Sequence, residues 1–432
     1  MKKFASYLVP SLIASLLMSM YAIVDGIFVG QKIGDSGLAA INLTWPITAF
    51  LQSIGTAFGL AGGICIQKYL GKNQEEHANQ FKLTVILILI GLGILFGFFF
   101  YLIRTPLIWS LGATEQSFSY AISYLKIILM GSVFQMLGMV LIPLLKNSKK
   151  VKLAAVASLS SILTNFILDY VFIFPLNMDL AGAALASVLA QVVSCFICLI
   201  AYIKELKSLT FRKKDILDLI KTSLAPFILA YSYSIVIIIT NLVCNLFGGD
   251  EAIASYTLLS YLSYILIALA CAVGDSIQPL FSYNQAKKEY KENKKMLIYC
   301  YLISFSICFV VSGIMLICKK PLGELYNLSD TAFLYYTDGL PYYILGALFI
   351  SFIKVTASYF YAIDSKLFSN IIVFLEPFFL TPIGFLIFCF PLKLYGVWVA
   401  YIFVQVSLFF ISGGLILYKQ KKLFQELSSS IN

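Results

Sequence analysis

VPSLIASLLMSMYAIVDGIFVGQKIGDSGLAAINL, residues 9–43, returns in altered form as APFILAYSYSIVIIITNLVCNLFGGDEAIASYTL, residues 225–258. Pro10 recurs as Pro226, and Asp25 faces Asn241, at a separation of 216. Gly34, Ala39, Gly59 and Lys72 recur as Gly249, Ala254, Gly274 and Lys287 at 215. Gly182, Ala186 and Gln191 recur as Gly396, Ala400 and Gln405 at 214. A separation that drifts by only two residues along the whole chain marks an internal duplication. In a membrane chain, duplication of this kind points to two bundles with a cargo site between them. Only the first copy keeps an acid at the Asp25 position.

The 432 residues are 60% hydrophobic and 12% charged, with a mean hydropathy of +0.90. No soluble domain can cover itself with so few polar groups. Apolar runs of about 20 residues, each able to cross a ~30 Å hydrocarbon layer as a helix, recur throughout. They predict twelve spans near 7–29, 38–66, 83–103, 119–145, 153–175, 182–203, 222–247, 252–283, 297–318, 340–362, 368–390 and 396–418. The expected fold class is an all-α integral membrane protein with two pseudo-symmetric six-helix bundles. The expected domains are an amino-terminal lobe at 1–208, a linker at 209–221 and a carboxy-terminal lobe at 222–432.

Basic residues set the expected orientation. With the amino terminus inside, cytoplasmic segments hold 24 of the 31 lysines and arginines, and outer loops hold 5. Both termini are therefore expected in the cytoplasm of a cell whose inner membrane the chain crosses many times. The net charge of +10 then reports topology, and no nucleic-acid partner is expected. The polar joint KELKSLTFRKKDILDLIK, 204–221, ends in DILDLIK, which predicts a short amphipathic helix on the membrane surface. His77 is the only histidine, expected in a solvated loop, which excludes a histidine-based metal site. Cys195 and Cys198 lie in an apolar span and read as packing. No cofactor or metal is expected, and no enzyme: the spans offer no nucleophile–base arrangement.

Ionisable side chains inside spans are rare and costly, so each is a candidate for function. Asp25 and Asp169 each lie five or six residues from the outer end of their spans, as do Asn42 and Ser187. At 1.5 Å per residue all four sit at roughly 7–9 Å depth. Asn165 precedes Asp169 by one turn and shares its face. Two carboxyls in a water-poor pocket cannot both stay ionised cheaply, so the cluster predicts reversible capture of H+ or of Na+, a hard cation that prefers oxygen ligands. The competing expectation is a purely structural set of interhelical hydrogen bonds.

VPSLIASLLMSMYAIVDGIFVGQKIGDSGLAAINLTWPI (9–47), SILTNFILDYVFIFPLNMDLAGAALASVLAQ (161–191) and QPLFSYNQAKKE (278–289) resemble the multidrug and toxic compound extrusion (MATE) family, within the MOP superfamily. The resemblance covers essentially the whole chain. It implies twelve helices in two lobes and antiport of small amphipathic, often cationic organic molecules against H+ or Na+. In the DNA-damage-inducible branch it implies a cation site at Asp25, Asn165, Asp169 and Ser187. There Pro10 matches a proline about which the first helix bends, and Tyr21 matches a cavity-lining tyrosine. The other branch places its coupling acids in spans seven and ten, where this chain has no acid and Lys354, respectively.

Cargo contacts are expected from aromatic and methionine side chains, with Met18, Tyr21, Tyr231, Tyr233 and Tyr256 as candidates. Glu376 stands where the family usually has a basic residue. Lys354 and Glu376 are each about eleven residues from the turn at 364–365, which predicts equal depth and an ion pair. The alternative is that Glu376 faces the cavity and reads cargo charge. Expected partners are small organic substrates and membrane lipid, with the chain acting as a monomer. The rival functions are a lipid-linked oligosaccharide or peptidoglycan-precursor flippase of the same superfamily and, more remotely, an intramembrane enzyme or receptor.

Overall fold

Hydrocarbon offers no water to a peptide group, so each apolar run must satisfy its backbone internally and becomes a helix. The structure, a computed structural model, describes residues 2–70, 73–147, 150–202 and 212–429. Its regular elements among those residues are all helical. In the first repeat they are α1 (Lys2–Ile33), α2 (Asp35–Leu70), α3 (Glu75–Ser110), α4, α5 (Val151–Ile173) and α6 (Asp179–Tyr202). Helix α4 consists of Glu115–Met130 and Ser132–Asn147, bent by 60° at Gly131.

The second repeat opens with one helical run, Lys213–Ala286, which Gly248 and Gly249 divide into α7 (213–247) and α8 (250–286). It continues with α9 (Tyr290–Ile317), a short helix Lys319–Leu325, α10 (Asp330–Ala362), α11 and α12 (Leu394–Ser429). Helix α11 comprises Lys366–Leu375, a π-helical turn Glu376–Leu380 and Thr381–Leu392. Among the described residues nine helices are long and apolar enough to cross a membrane, or ten with the bent α4. The run holding α7 and α8 counts once there; separating its limbs and adding α1 gives the twelve predicted spans.

Tertiary packing divides the chain into Asp25–Asn245 and a unit of Met1–Val24 with Leu246–Asn432. These limits differ from the expected lobes at 1–208 and 222–432, because α7 clusters with the first-repeat helices and the start of α1 with the second. In the Asp25–Asn245 unit, Phe50 of α2 meets Phe227 and Tyr231 of α7, each edge-on at 5.6 Å. Ser132 Oγ of α4 donates to Gly93 O of α3 at 2.8 Å. In the other unit, Leu8 of α1 joins a core with Val273, Ile277 and Phe281 of α8, Tyr359 and Phe360 of α10, and Leu408 of α12. Ser11 Oγ donates to Ala272 O at 3.2 Å, and Tyr326 donates its hydroxyl to Ile23 O at 3.1 Å.

DILDLIK does not form a separate surface helix. Residues 213–221 continue without interruption into α7, and Asp215 and Leu219 are buried. Residues 209–211 of the expected linker lie outside the described residues.

The glycines shared by both repeats answer to two features of the backbone. Gly34 and Gly249 have φ of +81° and +58°, turning the chain out of the first helix of each repeat in a region that L side chains rarely adopt. Gly182 and Gly396 follow the last hairpin turn of each repeat, where two helices nearly touch. A Cβ at Gly182 would lie 3.0 Å from the Phe172 backbone, and one at Gly396 would fall into the Phe388 carbonyl. By contrast, a Cβ at Gly91 or Gly413 meets nothing within 4 Å. Replacing Gly182 or Gly396 by Val should therefore cost about 1–3 kcal/mol. Thermal unfolding in detergent should show lower midpoints for both, while Gly91→Ala and Gly413→Ala stay near the parent.

Candidate ion site and a second charged cluster

Helix α5 carries the centre of the first site. Asn165 and Asp169, one turn apart, are 2% and 0% exposed, whereas Phe166, Ile167 and Tyr170 on its other face are exposed. Polar side chains therefore point into the protein and apolar ones out. Phe28, one turn after Asp25, fastens α1 to α5: its ring centroid lies 5.7 Å from Phe166, 6.3 Å from Tyr170 and 5.7 Å from Phe174. That aromatic clasp brings the Asp25 carboxyl against the Asp169 carboxyl, with the Asn165 amide beside both. Asn165 directs its Nδ2 to Ser187 Oγ of α6 at 3.4 Å.

Asp25 Oδ1 and both carboxyl oxygens of Asp169 are buried without a hydrogen-bond donor in bonding geometry. Two carboxyls in such surroundings are balanced only by positive charge, as H+ on one of them or as a hard cation held by several oxygens. Four of the five candidates, Asp25, Asn165, Asp169 and Ser187, thus form one group. Asn42 is buried on α2, and its main-chain carbonyl accepts the Asn241 side-chain amide at 3.3 Å. Asn241, the repeat counterpart of Asp25, is 1% exposed and was not among the candidates.

The cargo candidates separate. The side chains of Pro10, Met18 and Tyr21 lie outside those described. Tyr231 stacks on Phe227 at 5.8 Å and serves the α2–α7 contact, and Tyr233 is half-buried on the same helix. Tyr256 is 3% exposed in the core of its own unit, because it falls on a stretch of α8 that is buried on all sides.

His77 is not solvated. Its Nε2 lies 3.1 Å from Asp215 Oδ2, with the two side chains only 11% and 9% exposed. Tyr69 donates its hydroxyl to Asp215 Oδ1 at 2.7 Å and meets the His77 ring edge-on at 4.4 Å. Burial, then the hydrogen bond and charge of Asp215, push the Tyr69 phenol above its ordinary range. Tyr69 and His77, close in sequence, and the distant Asp215 thereby tie the ends of α2, α3 and α7 together.

A second charged cluster occupies α8, α10, α11 and α12. Lys354 Nζ lies 3.8 Å from Glu376 Oε2, and Gln405 Nε2 donates to Glu376 Oε1 at 3.0 Å. Asp275 accepts from Ser358 Oγ at 2.7 Å and from Gln278 Nε2 at 2.8 Å. Gln405 could have been found from the repeat, as the counterpart of Gln191.

A twice-repeated, all-helical chain with buried carboxyls inside its spans defines a polytopic membrane transporter. The MatE family model matches residues 10–171 and again 226–386, once for each repeat. The chain belongs to the MatE family. It is 28% identical over 319 residues to multidrug export protein MepA of Staphylococcus saprophyticus, covering 70% of this chain and 69% of that protein. It is 26% identical over 324 residues to the protein of the same name from Staphylococcus aureus (strain MRSA252), covering 72% and 70%. Among solved structures it matches the inward-facing conformation of a multidrug resistance MATE family transporter of the MOP superfamily. That match has a TM-score of 0.86, 18% identity, and coverage of 97% of this chain and 99% of that one. A MOP superfamily transporter from Pyrococcus furiosus gives a TM-score of 0.77 at 20% identity, covering 98% and 95%. The chain is thus a multi-pass membrane transporter and not an enzyme.

Asp169→Asn tests whether the acid pair serves the fold. Removing one of two abutting buried carboxyls relieves repulsion, so the thermal midpoint at neutral pH and low salt should hold or rise by a few degrees. A purely structural acid would give a lower midpoint.

Proposed function

We propose that the chain is a secondary active exporter of small amphipathic, often cationic organic molecules, driven by antiport of H+ or Na+ through alternating access. The observation that carries this reading is the Asp25–Asp169 contact, in which Asp25 Oδ1 and both Asp169 oxygens are buried without donors, beside Asn165 and Ser187. Such a group binds a small cation reversibly and changes its charge when it does so. The second repeat has Asn241 where the first has Asp25, so the two copies are not equivalent in charge. The names of the staphylococcal relatives support the cargo class.

In this reading the coupling ion enters the Asp25–Asp169 group in the outward state and favours release of cargo. Loss of the ion favours reloading from the cytoplasm or inner leaflet. Coupling requires the ion and the cargo to prefer different states, since a ligand of equal affinity for both shifts nothing. The lysine and arginine distribution supports insertion in the cell's inner membrane with both termini cytoplasmic. The working unit in this reading is one chain surrounded by lipid.

Vesicles reconstituted with the purified chain and loaded with ethidium test this directly, with a pH gradient and a Na+ gradient imposed separately. One of the two should accelerate transport. Asp25→Asn and Asp169→Asn should each reduce that acceleration about tenfold or more, while remaining folded by thermal unfolding. Undiminished gradient-driven transport in both variants would remove the proposed coupling site.

A further inference from the structure

The first repeat shows what this fold needs where the second carries charge. At separations of 214 and 215, Lys354 corresponds to Val140 or Met139, and Glu376 to Ile162 or Ser161. Asp275 corresponds at 215 to Leu60. None of these counterparts is charged. Only the glutamine is shared, and Gln191 closes over Gly138. At these positions the first repeat packs its helices with uncharged side chains, so Lys354, Glu376 and Asp275 are additions to the fold rather than requirements of it.

Their geometry is not that of a locked structural pair. The Lys354–Glu376 contact, at 3.8 Å, is well beyond the ~2.7–2.9 Å of a charge-assisted hydrogen bond. Both side chains keep access to their surroundings, at 24% and 16% exposure. The outer face of α11 is marked by exposed Phe378, Phe379, Leu386 and Phe390, whereas Glu376 is directed to Gln405, itself 2% exposed. Glu376 also opens the π-helical turn, with Pro377 as its second residue, a local irregularity that recurs at functional sites. Asp275, one turn after Cys271 on α8, has its carboxyl held by Ser358 and Gln278. Tyr264, Cys271 and Asp275 fall on one stripe of α8, with the Tyr264 ring 41% exposed.

We propose that Glu376 is a recognition group for organic cations and that Lys354 is its built-in competitor. The lysine ammonium holds the Glu376 carboxylate while cargo is absent. An arriving cation displaces the ammonium from Glu376, and Tyr264 offers the cargo an aromatic face. Uncharged molecules cannot displace the lysine and gain nothing from Glu376. This inference rests on the reading of the chain as an exporter of small organic molecules, and it adds a selectivity device to it.

The test measures equilibrium binding to the purified full chain by dialysis. One probe is tetraphenylphosphonium; the other is triphenylphosphine oxide, an uncharged relative. Lys354→Met should tighten tetraphenylphosphonium binding about tenfold and Glu376→Gln should weaken it about tenfold, the worth of one charged contact. Lys354→Arg should stay near wild type, and triphenylphosphine oxide should change less than about twofold in every variant. Opposite signs for the two variants separate recognition from a structural pair, whose loss would weaken both probes in both. Weakening by Lys354→Met, no change in it, or a parallel loss of the uncharged probe overturns the proposal. Dialysis involves no gradient, so failure of ion-driven export with this pattern intact would count against the export reading alone.

Discussion

Two acids in contact inside a helical bundle are the constraint on which the rest depends. Asp25 and Asp169 come from helices far apart in sequence, and the ring of Phe28 among Phe166, Tyr170 and Phe174 holds those helices together. A surface pair would share its charge with water and matter little. Here Asp169 is 0% exposed and its oxygens lack donors, so the protonation or ion occupancy of the pair sets the local electrostatic energy. Whatever neutralises the pair alters the balance of contacts along α1, α5 and α6. That sensitivity makes a buried acid pair useful in a transporter, and it explains why a chain with so few intramembrane charges keeps these two.

The duplication supplies an internal control for such arguments. Residues that recur without change, such as Gly34 with Gly249 and Gly182 with Gly396, answer to backbone geometry that both repeats share. Residues that differ are free of that geometry and can be read for chemistry. Asp25 against Asn241, and Lys354 and Glu376 against uncharged counterparts, are differences of this second kind. Each repeat carries its own pair of interacting charged groups on a common scaffold, an acid pair in one and an acid–base pair in the other.

Much of this was legible in the sequence. Hydropathy gave the twelve spans because hydrocarbon forces helices and fixes their length. Depth counting along straight helices put Asp25, Asp169, Asn42 and Ser187 at one level, with Asn165 one turn from Asp169, and placed Lys354 opposite Glu376. Asn165 meets Ser187, whereas the Asn42 carbonyl meets Asn241. Counting failed where packing rather than depth decides. His77 lies in a polar segment, and nothing local shows that Asp215 and Tyr69 enclose it. DILDLIK carries the periodicity of a surface helix, yet its Asp215 is buried against Tyr69 and His77 and its backbone runs on into α7. Tyr256 looked like a cavity residue by type, whereas its neighbours on α8 make it core. The contact of Asn241 with Asn42 depends on α7 packing beside α2, which the division of the sequence into lobes hides.

The most direct measurement counts cations released when cargo binds at zero gradient. Purified chain in weakly buffered detergent solution would be mixed with ethidium while pH and Na+ electrodes record the change. An acid pair that exchanges an ion for cargo predicts release of about one cation per chain, absent from the Asp25→Asn, Asp169→Asn double variant. Ethidium binding with no release, or release that persists undiminished in the double variant, would contradict it.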